Sequence, residues 1–83
     1  MISLKTIKKY EPEMKRLKVS EVARSPRGYL TALKKAKKYT NLSDKWKQKQ
    51  RGFVARHYTQ YKKNPTYRRR LALIAWSFDP ERK

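Results

Sequence analysis

Lysine and arginine number 24 in this 83-residue chain against six aspartates and glutamates, a formal net charge of +18. A compact fold has to carry that charge at its surface, where it repels itself and destabilises the folded state. The apolar residues make up 37% of the chain, fewer than the roughly 45–50% usual in globular domains. They are left to form one small core under a nearly continuous basic shell. Two tryptophans, six tyrosines and two phenylalanines argue against a disordered electrostatic tail. A polyanion relieves the repulsion, and neutralising nucleic-acid phosphates releases condensed counterions. Composition therefore points first to a nucleic-acid-associated protein. The competing reading is a solvated basic surface with no partner, but such surfaces normally mix the two signs of charge.

The length allows one domain, with a stability of about 3–5 kcal/mol. There is no cysteine, hence no disulfide and no thiolate metal ligand. No run approaches the roughly 18 apolar residues of a membrane span. The opening Met1-Ile2-Ser3-Leu4-Lys5 lacks the hydrophobic region of a secretory signal, so the expectation is a protein that is not secreted.

Prolines and capping residues divide the chain. Ser25-Pro26 reads as an N-cap followed by proline at the first helical position. A helix is expected from there to about Tyr39, with Tyr29, Leu30, Leu33 and Ala36 recurring at three- and four-residue spacing. After a break at Thr40-Asn41-Leu42, Ser43 caps a second helix from Asp44 to about Lys63. Its apolar stripe is Trp46, Phe53, Val54, His57, Tyr58 and Tyr61. Asn64-Pro65 ends that helix and caps a third, reaching about Phe78, where Asp79-Pro80 stops it. Residues 1–18 read as a basic arm or short helices: Ile2, Leu4, Ile7 and Tyr10 suit either, and Pro12 favours a new start. Ser20 suits the cap of a short turn. The expected fold is all-α: a small bundle of three principal helices over residues 19–80, an N-terminal arm or short helices over 1–18, and a tail over 81–83.

On the third helix, Tyr67, Leu71, Ile74 and Phe78 share one face, while Leu73 and Trp76 lie well away from it. A helix that is apolar nearly all round is usually central in its fold. The alternative makes Leu73 and Trp76 a contact for a homodimer or a capsid lattice.

The cations fall in rows. Lys45, Lys49, Arg56 and Lys63 project within about 40° of one another on the second helix, and Gly52 beside them exposes backbone where a phosphate can approach closely. Arg27, Lys34, Lys35 and Lys38 share the face of the first helix opposite Tyr29 and Leu33. Arg24 and Arg27 flank the Ser25-Pro26 cap, and Arg68-Arg69-Arg70 occupies the first turns of the third helix. Cations there oppose the helix dipole by roughly 0.3–1 kcal/mol each, which a bound anion would reverse. The alternative is that these arginines lie over apolar neighbours or stack on Tyr29 and Tyr67. Most tyrosines fall on core faces, Tyr10 and Tyr39 being freer, so duplex backbone contact is favoured over base stacking.

Nothing assembles into a catalytic site. His57 lies within an aromatic stripe. The acids are Glu11, Glu13, Glu21, Asp44, Asp79 and Glu81, spread along the chain rather than spaced for Mg²⁺. The only glycines are Gly28 and Gly52, so there is no glycine-rich phosphate loop. The reading is a non-enzymatic protein without cofactor or metal.

Four stretches, Val22 through Ala32, Trp46 through His57, Asn64-Pro65-Thr66-Tyr67-Arg68-Arg69 and Leu71 through Trp76, together resemble a small basic domain of unknown function found in large double-stranded DNA viruses of algae and amoebae. The resemblance covers roughly residues 19–80. It implies a viral setting, in which small basic proteins condense the genome or line the inside of the capsid, and it brings no site residues. The sequence thus leads to a largely sequence-independent DNA-binding protein in a virion interior, or otherwise in a nucleoid or nucleus. Its rivals are a minor capsid or structural-interaction protein and, less favoured, an amphipathic binder of anionic membranes.

Overall fold

Ser3 starts the first helix by accepting a hydrogen bond from the Thr6 backbone N–H at 3.3 Å. The computed structural model describes residues 2–81. Its helices are α1 (Leu4–Arg16), α2 (Glu21–Arg24), α3 (Tyr29–Ala36), α4 (Asp44–Lys63) and α5 (Tyr67–Ile74), with a 3₁₀ turn at Tyr39–Asn41. No strand occurs among the described residues, and the all-α class is as expected.

The expected three principal helices become four of eight residues or more, because residues 4–16 form one. Pro12 lies inside α1 rather than starting a new helix. An interior proline costs about 3 kcal/mol. Ile7 and Met14, both 0% exposed, anchor the helix on either side of it. They share a core cluster with Leu30, Leu33, Leu71 and Ile74, so residues 2–18 are part of the packed unit and not an arm; residue 1 lies outside those described. Helix α1 ends at Arg16, and after its C-cap Leu17 comes Lys18, whose φ of 55° is left-handed. The Val19 N–H then reaches back to the Met14 carbonyl at 2.8 Å, a Schellman closure without glycine.

Ser25-Pro26 does not cap α3. Ser25 ends α2, and Gly28 is the N-cap of α3. A β-carbon on Gly28 would sit 2.1 Å from the Val22 carbonyl oxygen and 2.3 Å from that of Ala23. The turn therefore packs backbone on backbone, and only glycine fits. At its other end α3 stops at Ala36, short of Tyr39, with Lys37 at φ 70°.

The caps of α4 follow the sequence: Ser43 Oγ accepts the Trp46 N–H, Asp44 lies in the first turn, and Lys62 and Lys63 lie in the last. Thr66, not Asn64-Pro65, caps α5 by accepting the Arg69 N–H at 3.1 Å. Helix α5 ends at Ile74 rather than near Phe78. Ser77 turns left-handed (φ 68°), and the Phe78 N–H returns to the Leu73 carbonyl at 3.0 Å, again the Schellman pattern.

Helix α5 packs against both α1 and α4. Its predicted central place holds, since Leu71, Leu73 and Ile74 are all 0% exposed. Leu73 is thereby removed from any contact with another molecule. Beyond α5 the chain runs along α4. Gln50 Nε2 donates to the Trp76 carbonyl at 2.9 Å, the Tyr58 and Phe78 rings meet edge-on at 5.1 Å, and Tyr61 donates its hydroxyl to Glu81. The predicted tail begins at this Glu81; residues 82 and 83 lie outside those described.

Candidate nucleic-acid interface

The surface formed where α3 meets α4 carries two adjoining depressions. One, of about 430 Å³, is lined by Gln48, Lys49, Gly52, Phe53, Arg56 and Trp76. The other, of about 270 Å³, is lined by Pro26, Arg27, Gly28, Thr31, Ala32, Lys35 and Trp46. Lys49 joins them, its Nζ lying 5.0 Å from the centroid of the Trp46 ring. Arg27, Lys35, Lys45, Lys49, Arg56 and Lys63 are all exposed. None of them has an ion-pair partner among the described residues.

A column of rings holds this surface in place. Tyr29 stacks on Trp76 at 4.5 Å and 15°, Trp76 on Phe53 at 4.5 Å and 13°, and Phe53 on His57 at 3.7 Å and 10°. Trp46 meets Tyr29 edge-on at 5.9 Å. The column ties α3, α4 and the segment after α5 together, and it consumes ring faces that a base would otherwise stack on. Trp76 is part of this packing, half-buried, so the expected contact pair Leu73 and Trp76 does not exist as an exposed patch. His57 donates from Nδ1 to the Phe53 carbonyl at 2.9 Å.

Tyr29 is the buried end of the column. It is 0% exposed, and its hydroxyl lies 2.9 Å from Ser77 Oγ. Burial pushes its phenol up to about 12, with the Ser77 hydrogen bond opposing that rise.

Gly52 sits mid-helix between Lys49 and Arg56. Its φ is not positive, and a β-carbon there would meet only the Arg56 Nη1, at 3.5 Å. The fold makes no demand for glycine at this position, although glycine in a helix interior costs about 0.5–1 kcal/mol relative to alanine. It leaves an open notch of backbone between two cations.

Several cations expected on the interface are used elsewhere. Arg70 clasps Asp79 with Nε to Oδ1 at 3.0 Å and Nη2 to Oδ2 at 3.1 Å, and its guanidinium lies 5.5 Å over the Tyr10 ring. The Asp79 hydrogen bonds raise the Arg70 pKa above its ordinary value. Arg68 donates to the Leu17 carbonyl and Arg69 to that of Asn64. The three arginines thus fan out to separate acceptors instead of converging on an anion at the start of α5. Arg24 Nε donates to the Val19 carbonyl at 3.3 Å. Lys34 pairs with Glu11 at 2.8 Å. Lys38 is exposed but borders a separate hollow with Ile2 and Tyr39. Tyr10 and Tyr39 are packed against the core cluster rather than free.

A second basic face escaped the sequence reading. Lys5, Lys8 and Lys9 are exposed on α1 on the side away from Ile7 and Met14, and Lys15 is exposed on its flank. The signal lay in the three- and four-residue spacing of Lys5, Lys8 and Lys9, but reading Pro12 as a break hid the helix that aligns them.

Among the described residues no helix is long and apolar enough to cross a membrane. Comparison with protein-family models, with curated proteins and with solved structures gave no match to this chain.

Proposed function

We propose that this protein binds double-stranded nucleic acid, DNA in the first instance, through phosphates seated on the α3–α4 surface, without catalysis and largely without sequence preference. The observation that carries the reading is the row Lys45, Lys49, Arg56 and Lys63, unpaired by any acid among the described residues, along the helix face that carries the Gly52 notch. Lysine and arginine on a rigid helix neutralise phosphates and fix register without reading bases. The ring column supports backbone contact over stacking, because Tyr29, Trp76, Phe53 and His57 already pack on one another. The setting belonging to this reading is a virion interior, on the sequence resemblance described above. The rival role, a capsid contact, would rest on Trp76 and the basic surface without Leu73, which is fully buried.

Charge reversal of Lys45, Lys49 and Arg56 to glutamate tests this. We expect duplex affinity in a gel shift to fall by 100-fold or more while the helical circular dichroism persists. Unchanged affinity would place the contact on another surface. Gly52→Ala adds an independent check. It should raise stability by about 0.5–1 kcal/mol and still weaken binding, because the new methyl group fills the notch.

A further inference from the structure

We infer that this protein bridges two duplexes, with the α1 face holding a second segment of DNA while the α3–α4 surface holds the first. The inference rests on the nucleic-acid reading above. Lys5, Lys8, Lys9 and Lys15 are exposed. At about 100° per residue, Lys5, Lys8 and Lys9 cluster opposite Ile7 and Met14, the two α1 side chains that are 0% exposed. Among the described residues none of these four lysines has an ion-pair partner, whereas Arg16 nearby is taken by Glu13 at 2.6 Å. A long row of unneutralised lysines costs stability through mutual repulsion, and a polyanion is the partner whose charge complements it.

The packing of α5 against both helices argues that this row and the α4 row lie on different sides of the molecule. Helix α5 packs against both α1 and α4. Leu71 and Ile74 share a cluster with Ile7 and Met14 of α1. Leu73, about 160° around α5 from Leu71, is equally buried and belongs to the opposite side of that helix. The whole molecule measures only 32 × 25 × 24 Å. Duplex DNA has a persistence length of about 50 nm, so one duplex does not wrap a particle of this size to reach both rows. The α1 row is therefore left to a second duplex, and the protein draws two segments together at a spacing set by its own thickness.

A bead-bound duplex offered a labelled free duplex reads this directly. The full chain is expected to capture the labelled duplex at sub-saturating protein, and to lose capture when excess protein coats every duplex separately. The triple variant Lys5→Glu, Lys8→Glu, Lys9→Glu is expected to keep single-duplex affinity in a gel shift within about fivefold and to lose capture at least tenfold. The Lys→Gln triple variant, which removes charge without adding repulsion, is expected to do the same and covers a failure of the glutamate variant to fold. Capture undiminished in both variants would overturn the inference, since bridging would then arise from self-association through another surface. A wild-type chain that shifts one duplex but captures no second would overturn it while leaving the proposed function standing. A chain that shifts no duplex at all would remove both.

Discussion

Tyr29 shows how one side chain links the core to the interface. It is fully buried, bonded to Ser77, and stacked under Trp76. Tyr29→Phe should destabilise the fold by about 1 kcal/mol, the net worth of one hydrogen bond, because the buried Ser77 hydroxyl loses this partner. The pH dependence has a defined sign. An unfolded tyrosine ionises near 10, and burial pushes this one up to about 12. The folded state therefore keeps a proton that the unfolded state releases. That contribution is complete below about pH 10 and is lost as pH rises toward 12. A phenolate titration of the wild type should show two tyrosines ionising late, Tyr29 and Tyr61, and Tyr29→Phe should lose one of them; an unchanged late amplitude would assign the step elsewhere. Tyr61, whose pKa is raised by its bond to Glu81, leaves a second alkaline-sensitive group in the variant. At this scale the sequence was legible where a residue acts on its own helix, as Ser43 does on Trp46. It was not legible where the partner is far along the chain. Arg70 and Asp79, or Lys34 and Glu11, meet only because helices pack. Which cations remain for a ligand was therefore not readable from residue order.

Among the elements, α1 is the informative failure. Local rules forbid an interior proline, yet Pro12 lies within the 13 residues of α1. Burial of Ile7 and Met14 outweighs the local cost. Pro12 is exposed, so Pro12→Ala should restore a helix hydrogen bond without disturbing the core. It should raise stability by about 1–3 kcal/mol in a thermal or urea melt. A loss of stability would mean that the bend or the ring itself contributes to packing. The C-terminal ends of α3 and α5 were misjudged for a related reason. Each is followed within three residues by a positive-φ position, Lys37 after α3 and Ser77 after α5, as Lys18 follows α1, where the usual sequence signal is glycine. Gly28 was read as lying inside the helix that starts at Pro26, and its actual place before α3, set by the approach of the Val22 and Ala23 carbonyls, is a tertiary matter. The long α4 was read correctly at both ends because its caps and charges are all local. Its buried Gln50 was missed, since its partner is the Trp76 carbonyl on another segment.

For the whole molecule the governing quantity is charge. A net +18 over 83 residues is reduced locally by ion pairs at Glu11, Glu13 and Asp79, and the α1 and α3–α4 surfaces remain strongly basic. The aromatic column and the α5-centred core hold those surfaces at fixed positions, and under the proposed function DNA phosphates complete the electrostatics of the fold. The direct test is duplex affinity as a function of salt. With about six to ten phosphates neutralised, affinity should fall roughly 10³- to 10⁵-fold between 50 and 200 mM salt, along a straight line in logarithmic coordinates. An affinity that barely changes over that range would contradict the account.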